Sequence, residues 1–235
     1  MTHYPVSFCG NDLFCDLTGA LYWPAERTLV VADLHLEKGS GLAARGQLLP
    51  PYDTRATLDR LDAVLRRYSP DIVISLGDSF HDGGALARLD PIEAQRIERM
   101  TARHDWIWIA GNHDPEIGNP WHGAVAAEVS IAGLAFRHLS AGGSGEVSGH
   151  LHPKASIRTR ARKLWRACFT IGTERMILPS FGAYTGGLDV LHPEITAVVG
   201  EDFDAIVLGQ NRIHRFPSDR LVPFESTRRR ALAYG

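Results

Sequence analysis

Five short polar clusters, each at the end of an apolar run, carry the chemistry open to this sequence. They are Asp33-x-His35, Gly77-Asp78, Gly111-Asn112-His113-Asp114, His138 and Gly149-His150-x-His152. Carboxylate, imidazole and amide oxygen without cysteine suit Mn²⁺, Fe²⁺, Zn²⁺ or Co²⁺ in a reaction centre better than a structural zinc knot. Two such ions about 3.5–4 Å apart can bind an attacking water and the phosphoryl oxygens, stabilising the charge that develops in the transition state. A lone histidine in an apolar context is more often a packed core residue, but five clusters in this order outweigh that reading. Asp78 is the natural bridge between two ions, and a two-metal phosphoester hydrolase is the leading reading.

Elements that alternate between strand and helix must position these groups. Residues 6 to 23 read as two or three short strands broken at Gly10-Asn11 and near Gly19. Thr28 to Ala32 is a uniformly apolar run, as expected for a strand covered on both faces, and it delivers Asp33 and His35 at its exit. Leu58, Leu61, Val64 and Leu65 have helical spacing within residues 54 to 68, and Pro70 stops that helix. Ile72 to Leu76 is a second buried strand ending at Asp78, residues 91 to 103 are helical, and Trp106 to Ala110 is a third strand ending at Asn112. This order predicts a parallel sheet whose ligands collect beyond the carboxyl ends of its strands. Short strands at 130 to 138, 146 to 149, 168 to 171, 175 to 178 and 204 to 208 are buried most simply in a second sheet packed on the first. Residues 82 to 87 and 141 to 145 read as loops.

The chain has 235 residues, 44% of them apolar, with a net charge of −2, which favours one domain over residues 1–235 and excludes a polycation. Cys9, Cys15 and Cys168 have no CxxC spacing and read as reduced core thiols. No leader and no apolar stretch of about 18 residues is present in the sequence, so a cytoplasmic protein with no membrane segment is expected.

The motifs DLH, GD, GNHD, H and GHLH, over residues from about 30 to 155, resemble those of the calcineurin-like metallophosphoesterase superfamily. The resemblance implies an α/β fold, a four-layer α-β-β-α sandwich with two mixed sheets. By position it implies that Asp33, His35 and His152 hold one metal with bridging Asp78, while Asn112, His138 and His150 hold the second with the same bridge. His113 would donate a proton to the leaving group, with Asp114 orienting it. The bland reading of Asp114 is a turn into Pro115. His138 lacks a local motif of its own, and His104, His122 and His214 compete with it. Many members continue the second motif as GDxxD; here His81 stands at that carboxylate's position, where it could donate to a phosphate.

Three longer stretches, LEKGSGLAARGQLLPPYDT at 36 to 54, GDSFHD at 77 to 82 and PSFGAYTGG at 179 to 187, are similar to the bacterial ligase-associated DNA damage response endonuclease (PdeM) family. That resemblance implies a manganese-dependent phosphodiesterase acting on DNA, single-stranded in preference to long duplex. It also implies association with an ATP-dependent DNA ligase, an Lhr-type helicase and an exonuclease. Lys154, Arg158, Arg160, Arg162, Lys163 and Arg166 follow the last metal motif closely, so some of them should flank the centre and contact phosphates. Arginines 158, 160 and 162 also suit the solvent face of an edge strand. Arg45 could hold a phosphate oxygen, whereas Lys38 reads as a solvated head beside Glu37. Trp165 or Tyr184 could stack on an unpaired base, against core packing as the simpler role. Spare aromatics such as Trp121, Trp165 and Phe181 are compatible with a homodimer. The alternatives are a phosphomonoesterase, a diesterase of small molecules, and a non-catalytic docking partner of a ligase or helicase.

Overall fold

The computed structural model describes residues 2–47, 50, 52–115, 121–158 and 163–224. The first sheet is built from β1 (His3–Phe8), β2 (Asn11–Asp16), β3 (Leu21–Trp23), β4 (Thr28–Val31), β5 (Ile72–Leu76), β6 (Asp105–Ile109) and β7 (Ala124–Ala126), adjacent in that order. β1 to β4 pair antiparallel and β4 to β7 pair parallel. The helices between the parallel strands are α1 (Lys38–Ala43), α2 (Asp53–Tyr68), α3 (Ala85–Arg88) and α4 (Pro91–Thr101). α2 buries Leu58, Leu61, Val64 and Leu65 against this sheet, and ends where Ser69 turns left-handed and its N–H returns to the Leu65 carbonyl. α4 starts with Pro91 at its first turn and the Asp90 carboxylate accepting from the Ile92 N–H.

The second half forms the second sheet: β8 (Glu128–Ile131), β9 (Leu134–Arg137), β10 (Glu146–Ser148), β11 (Lys154–Arg158), β12 (Lys163–Ile171), β13 (Arg175–Ile177), β14 (Asp204–Leu208) and β15 (Ile213–Pro217). Its order is β15-β14-β12-β13-β10-β9-β8, with β11 paired to β12. β10 runs parallel to both β9 and β13, and the other pairs are antiparallel. The run at 130 to 138 is therefore the end of one strand and the whole of the next, because Ala132 and Gly133 both take positive φ and close a hairpin. α5 (Pro193–Val199) covers the outer face with Ile195 and Val199.

The inner faces meet in one apolar core in which Trp23, Val30, Ile74 and Leu76 of the first sheet pack with Leu134, Phe136, Phe169 and Leu178 of the second. The layers are helix, mixed sheet, mixed sheet and helix, as the resemblance implied. Cys15 and Cys168 are buried, but Cys9 is exposed at the β1–β2 turn, so it is not a core thiol. Phe181 is fully buried, and Trp121 stacks on Phe80 with ring centroids 5.6 Å apart; both are packed in the outer core rather than spare for an interface. No helix among the described residues is long and apolar enough to cross a membrane.

Candidate metal centre

The polar clusters meet where the exits of β4, β5 and β6 approach those of β9 and β10. Parallel register sends Asp33, Asp78 and Asn112 off the same edge of the first sheet. Across from them, the Gly149 N–H donates to the His138 carbonyl and joins the exits of the second sheet. Eleven described residues other than glycine have positive φ, and five of them are Asp33, His35, Asp78, His150 and His152. Left-handed backbone costs an ordinary residue about 1–2 kcal/mol, and its concentration at one cluster marks a functional site. The buried strands beneath hold that strain in place.

Asp33, His35 and His152 form one group whose candidate ligand atoms lie within 4.8 Å of one another. His35 Nε2 is 3.4 Å from His152 Nε2, and the latter is 3.3 Å from Asp33 Oδ1. Asp33 is fully buried, and its carboxylate also accepts from the His150 N–H at 3.0 Å. Burial, then the neighbouring His152, push His35 down to about 3, so its imidazole is neutral and able to ligate. His35 Nδ1 is buried with no hydrogen-bond partner among the described residues.

Asp78, His138 and His150 form the second group. His138 Nδ1 donates to the Leu76 carbonyl at 2.9 Å, which leaves Nε2 facing Asn112 Oδ1 at 2.9 Å, His150 Nδ1 at 3.2 Å and Asp78 Oδ2 at 3.4 Å. Burial works against charge on His138, but Asp78 and Asp33 carry it up to about 9. Burial would raise Asp78; His138 and the His113 N–H bring it to about 2. Carboxylates that impose a proton on a buried imidazole mark a site made for positive charge, and the donor set fits divalent ions. Asp78 Oδ2 also lies 3.8 Å from His35 Nε2, so it faces both groups. Gly111 permits this closeness: a Cβ there would collide with the backbone nitrogen and carboxylate of Asp78. His138 therefore takes the place its rivals do not; His104, for example, contacts the Pro70 carbonyl.

The calcineurin-like phosphoesterase family model matches residues 26–206, which include every one of these clusters and the strands that carry them, β4 to β6, β9 and β10. The chain belongs to the calcineurin-like phosphoesterase family. It is accordingly a metal-dependent hydrolase of phosphoesters. Among solved structures, it is similar to the Pseudomonas putida nuclease MPE at 27% identity, covering 91% of this chain and 100% of that one with a TM-score of 0.69. Yfce, a phosphoesterase from E. coli, is 14% identical over 80% of this chain and 97% of its own, with a TM-score of 0.42. A comparison with curated proteins finds no match.

In this calcineurin-like phosphoesterase, exposed His113 stands over the centre, edge-on to His35 with centroids 5.0 Å apart. Its Nδ1 donates to the His81 carbonyl at 2.8 Å. Asp114 does not contact that ring: its carboxylate accepts from the N–H groups of Gly111 and Phe80, each at 3.0 Å, and so ties the third motif to the second. Burial raises Asp114 to about 6, with the Asp78 charge adding to the rise. The His81 ring stacks on His113 at 5.4 Å, with its own Nδ1 buried and unpartnered among the described residues.

The basic residues divide. Arg45 is exposed after α1, and its charge is felt at His81. Lys38 is half-buried rather than a solvated head, because Glu37 turns away to accept from Ser40 and Thr54. Arg158 is exposed at the end of β11, while Arg160 lies outside the described residues, as does Arg162. Lys163 donates to the Pro223 carbonyl and Arg166 to that of Trp165, so following the metal motif in sequence does not bring these two to the centre. The groove of about 630 Å³ between α2 and α4 includes none of the ligand residues. Sequence reasoning missed how the 179–187 stretch serves the centre: Ser180 Oγ donates to the Asp33 carbonyl at 2.8 Å.

Proposed function

We propose that the protein is a manganese-dependent phosphodiesterase that cuts DNA, single strands in preference, as a repair endonuclease of the cytoplasm. The observation that carries this reading is the two ligand groups, Asp33 with His35 and His152 and Asp78 with His138 and His150, with Asp78 Oδ2 also 3.8 Å from His35 Nε2 and the exposed imidazole of His113 beside them. Asp33, His35 and His152 would hold one ion with Asp78, and Asn112, His138 and His150 the other with the same bridge. Such ions supply an activated water and neutralise charge on the phosphoryl oxygens.

The chain's own groups do the rest. Because His113 Nδ1 is committed to the His81 carbonyl, any second proton sits on Nε2, from which it can pass to the departing oxygen. Asp114 keeps the His113 loop against the Asp78 loop, a positioning role. His81 and Arg45 would contact the substrate phosphate, and Arg158 and Arg160 the strand farther along. The nuclease named among the similar structures supports DNA as substrate, and the PdeM resemblance adds manganese, repair, and association with a ligase, a helicase and an exonuclease.

The deciding experiment follows circular single-stranded DNA, a phosphate monoester and its matched diester in Mn²⁺, with Asp78→Ala as blank. Linear products and diester preference are expected. Intact circles with faster monoester turnover would transfer the protein to the small-phosphate hydrolases.

A further inference from the structure

A loop braces the first ligand group and holds an aromatic ring out beside it. At one end of this 179–188 segment, the Phe181 N–H donates to the Ala32 carbonyl at 2.7 Å and the Gly182 N–H to that of Asp33 at 3.0 Å. At the other, the Leu188 N–H reaches the Leu151 carbonyl at 3.3 Å, and Gly187 lies so near His152 that a Cβ would strike its carbonyl. The Ala183 N–H donates to Thr57 Oγ1 at 3.0 Å, and the Arg60 guanidinium bonds the Phe181 carbonyl while lying 4.7 Å over its ring.

Between these anchors Tyr184 is 46% exposed with a φ of 59°. A bulky side chain in the left-handed region is uncommon, and this ring does not repay the strain by burial. Glycines occupy neighbouring positions 182, 186 and 187, so the loop accommodates glycine readily. An exposed tyrosine on a loop anchored at both ends to the strand exits that carry Asp33 and His152 therefore calls for something to cover it.

Two lysines flank the same place. Lys154 Nζ donates to the Thr185 carbonyl at 3.0 Å, its stem rests on Gly187, and two N–H donors have no partner among the described residues. Lys38 is half-buried and has no hydrogen bond or ion pair among the described residues. The Lys38 charge is felt at His35, His81 and Lys154, which places it near both the centre and the loop, and the Asp53 carboxylate acts on it in turn. Ammonium groups so placed invite an anion.

We propose that Tyr184, Lys38 and Lys154 form a subsite for the nucleotide next to the scissile phosphate, the ring stacking on an unpaired base and the lysines binding the flanking phosphate. The proposal rests on the DNA reading above and deepens it. Stacking on an aromatic ring tolerates any base but needs one free of its duplex partner, so the subsite selects single strands without reading sequence. Trp165, the other aromatic considered for this task, is already stacked on Phe224 with centroids 4.3 Å apart.

The test compares oligothymidylate with an abasic phosphodiester chain of equal length and with bis(p-nitrophenyl) phosphate, using the full chain in Mn²⁺. Tyr184→Gly removes the ring and suits the left-handed backbone; Tyr184→Phe keeps the ring. For Tyr184→Gly, KM should rise about tenfold on oligothymidylate and far less on the abasic chain, with Tyr184→Phe close to the parent. Lys38→Ala should raise KM on both polymers and flatten their salt dependence by about one phosphate contact. If Tyr184→Gly loses equally on both polymers, or not at all, the stacking role is overturned while the DNA reading stands. Parent-like KM and salt dependence in Lys38→Ala would overturn the phosphate contact. Hydrolysis of the small diester but of neither polymer by the parent would overturn the DNA reading and the subsite with it.

Discussion

The two halves of the candidate metal centre gather similar side chains but support them differently. In the half around Asp78, His138 has one ring nitrogen fixed by the Leu76 carbonyl, and Asp78 Oδ1 accepts from the His113 N–H at 2.9 Å. In the half around Asp33 the backbone and the carboxylate are braced, but the rings are not: His35 Nδ1 is buried with no hydrogen-bond partner among the described residues, and the His152 side chain is 15% exposed. The support of the Asp78 half extends into the second sheet, where buried Glu146 at the start of β10 accepts from Ser140 and lies 3.4 Å from Arg137 at the end of β9. A ligand oriented by a second contact is ready before its ion arrives, whereas an unbraced one is ordered by the ion itself. The imidazoles of the Asp78 half are held in advance, whereas those of the Asp33 half would be ordered by an ion.

Removing the residue common to both halves should abolish the difference between them. Loss of an orienting contact typically costs a metal site about 10- to 100-fold, and Asp78→Ala should exceed that in diester hydrolysis while metal analysis finds both ions weakened. His113→Ala should lose about 10²- to 10⁴-fold in turnover with two ions retained; coincident loss of metal would show that His113 serves the cluster rather than the leaving group.

A chelator titration addresses the comparison itself. Two ions should leave in separate steps, with affinities about 10- to 100-fold apart, and His35→Ala should eliminate the weaker step. One transition with equal affinities would erase the distinction.

The smallest effect lies in the support of the Asp78 half. Burial opposes the charge of Glu146, but Ser140, nearby backbone N–H groups and Arg137 hold its carboxyl below the ordinary value of 4.5. Its stabilisation is therefore present above that value and lost as pH falls through the lower folded one. In urea unfolding, Glu146→Gln should cost about 1.5–3 kcal/mol at pH 7 and progressively less in acid. An equal cost at pH 7 and pH 3 would mean that the carboxylate charge contributes nothing.

The scaffold of the centre was legible because buried strands announce themselves. Thr28 to Ala32, Ile72 to Leu76 and Trp106 to Ala110 are apolar runs that end in polar residues, and the structure places strands within one residue of each. Strands whose two faces differ give weaker signals: β15 mixes charged and apolar residues and has no counterpart among the expected strands, β11 is foreshadowed only by the edge-strand reading of the arginines from 158 on, and β12 begins five residues before the run at 168. The ligand clusters were legible by residue type. The partners of Asp114 were not, since its carboxylate meets backbone N–H groups, which no sequence pattern distinguishes. Lys38 was misread for a related reason: adjacency to Glu37 suggests a pair, but Thr54 and Ser40 engage that carboxylate instead.

The central claim is a pair of ions sharing Asp78, and anomalous diffraction from Mn²⁺-loaded crystals tests it most directly. Two peaks are expected about 3.5–4 Å apart, one among Asp33, His35 and His152 and the other among Asn112, His138 and His150, both in contact with Asp78. A single peak, or peaks that avoid Asp78, would contradict the account.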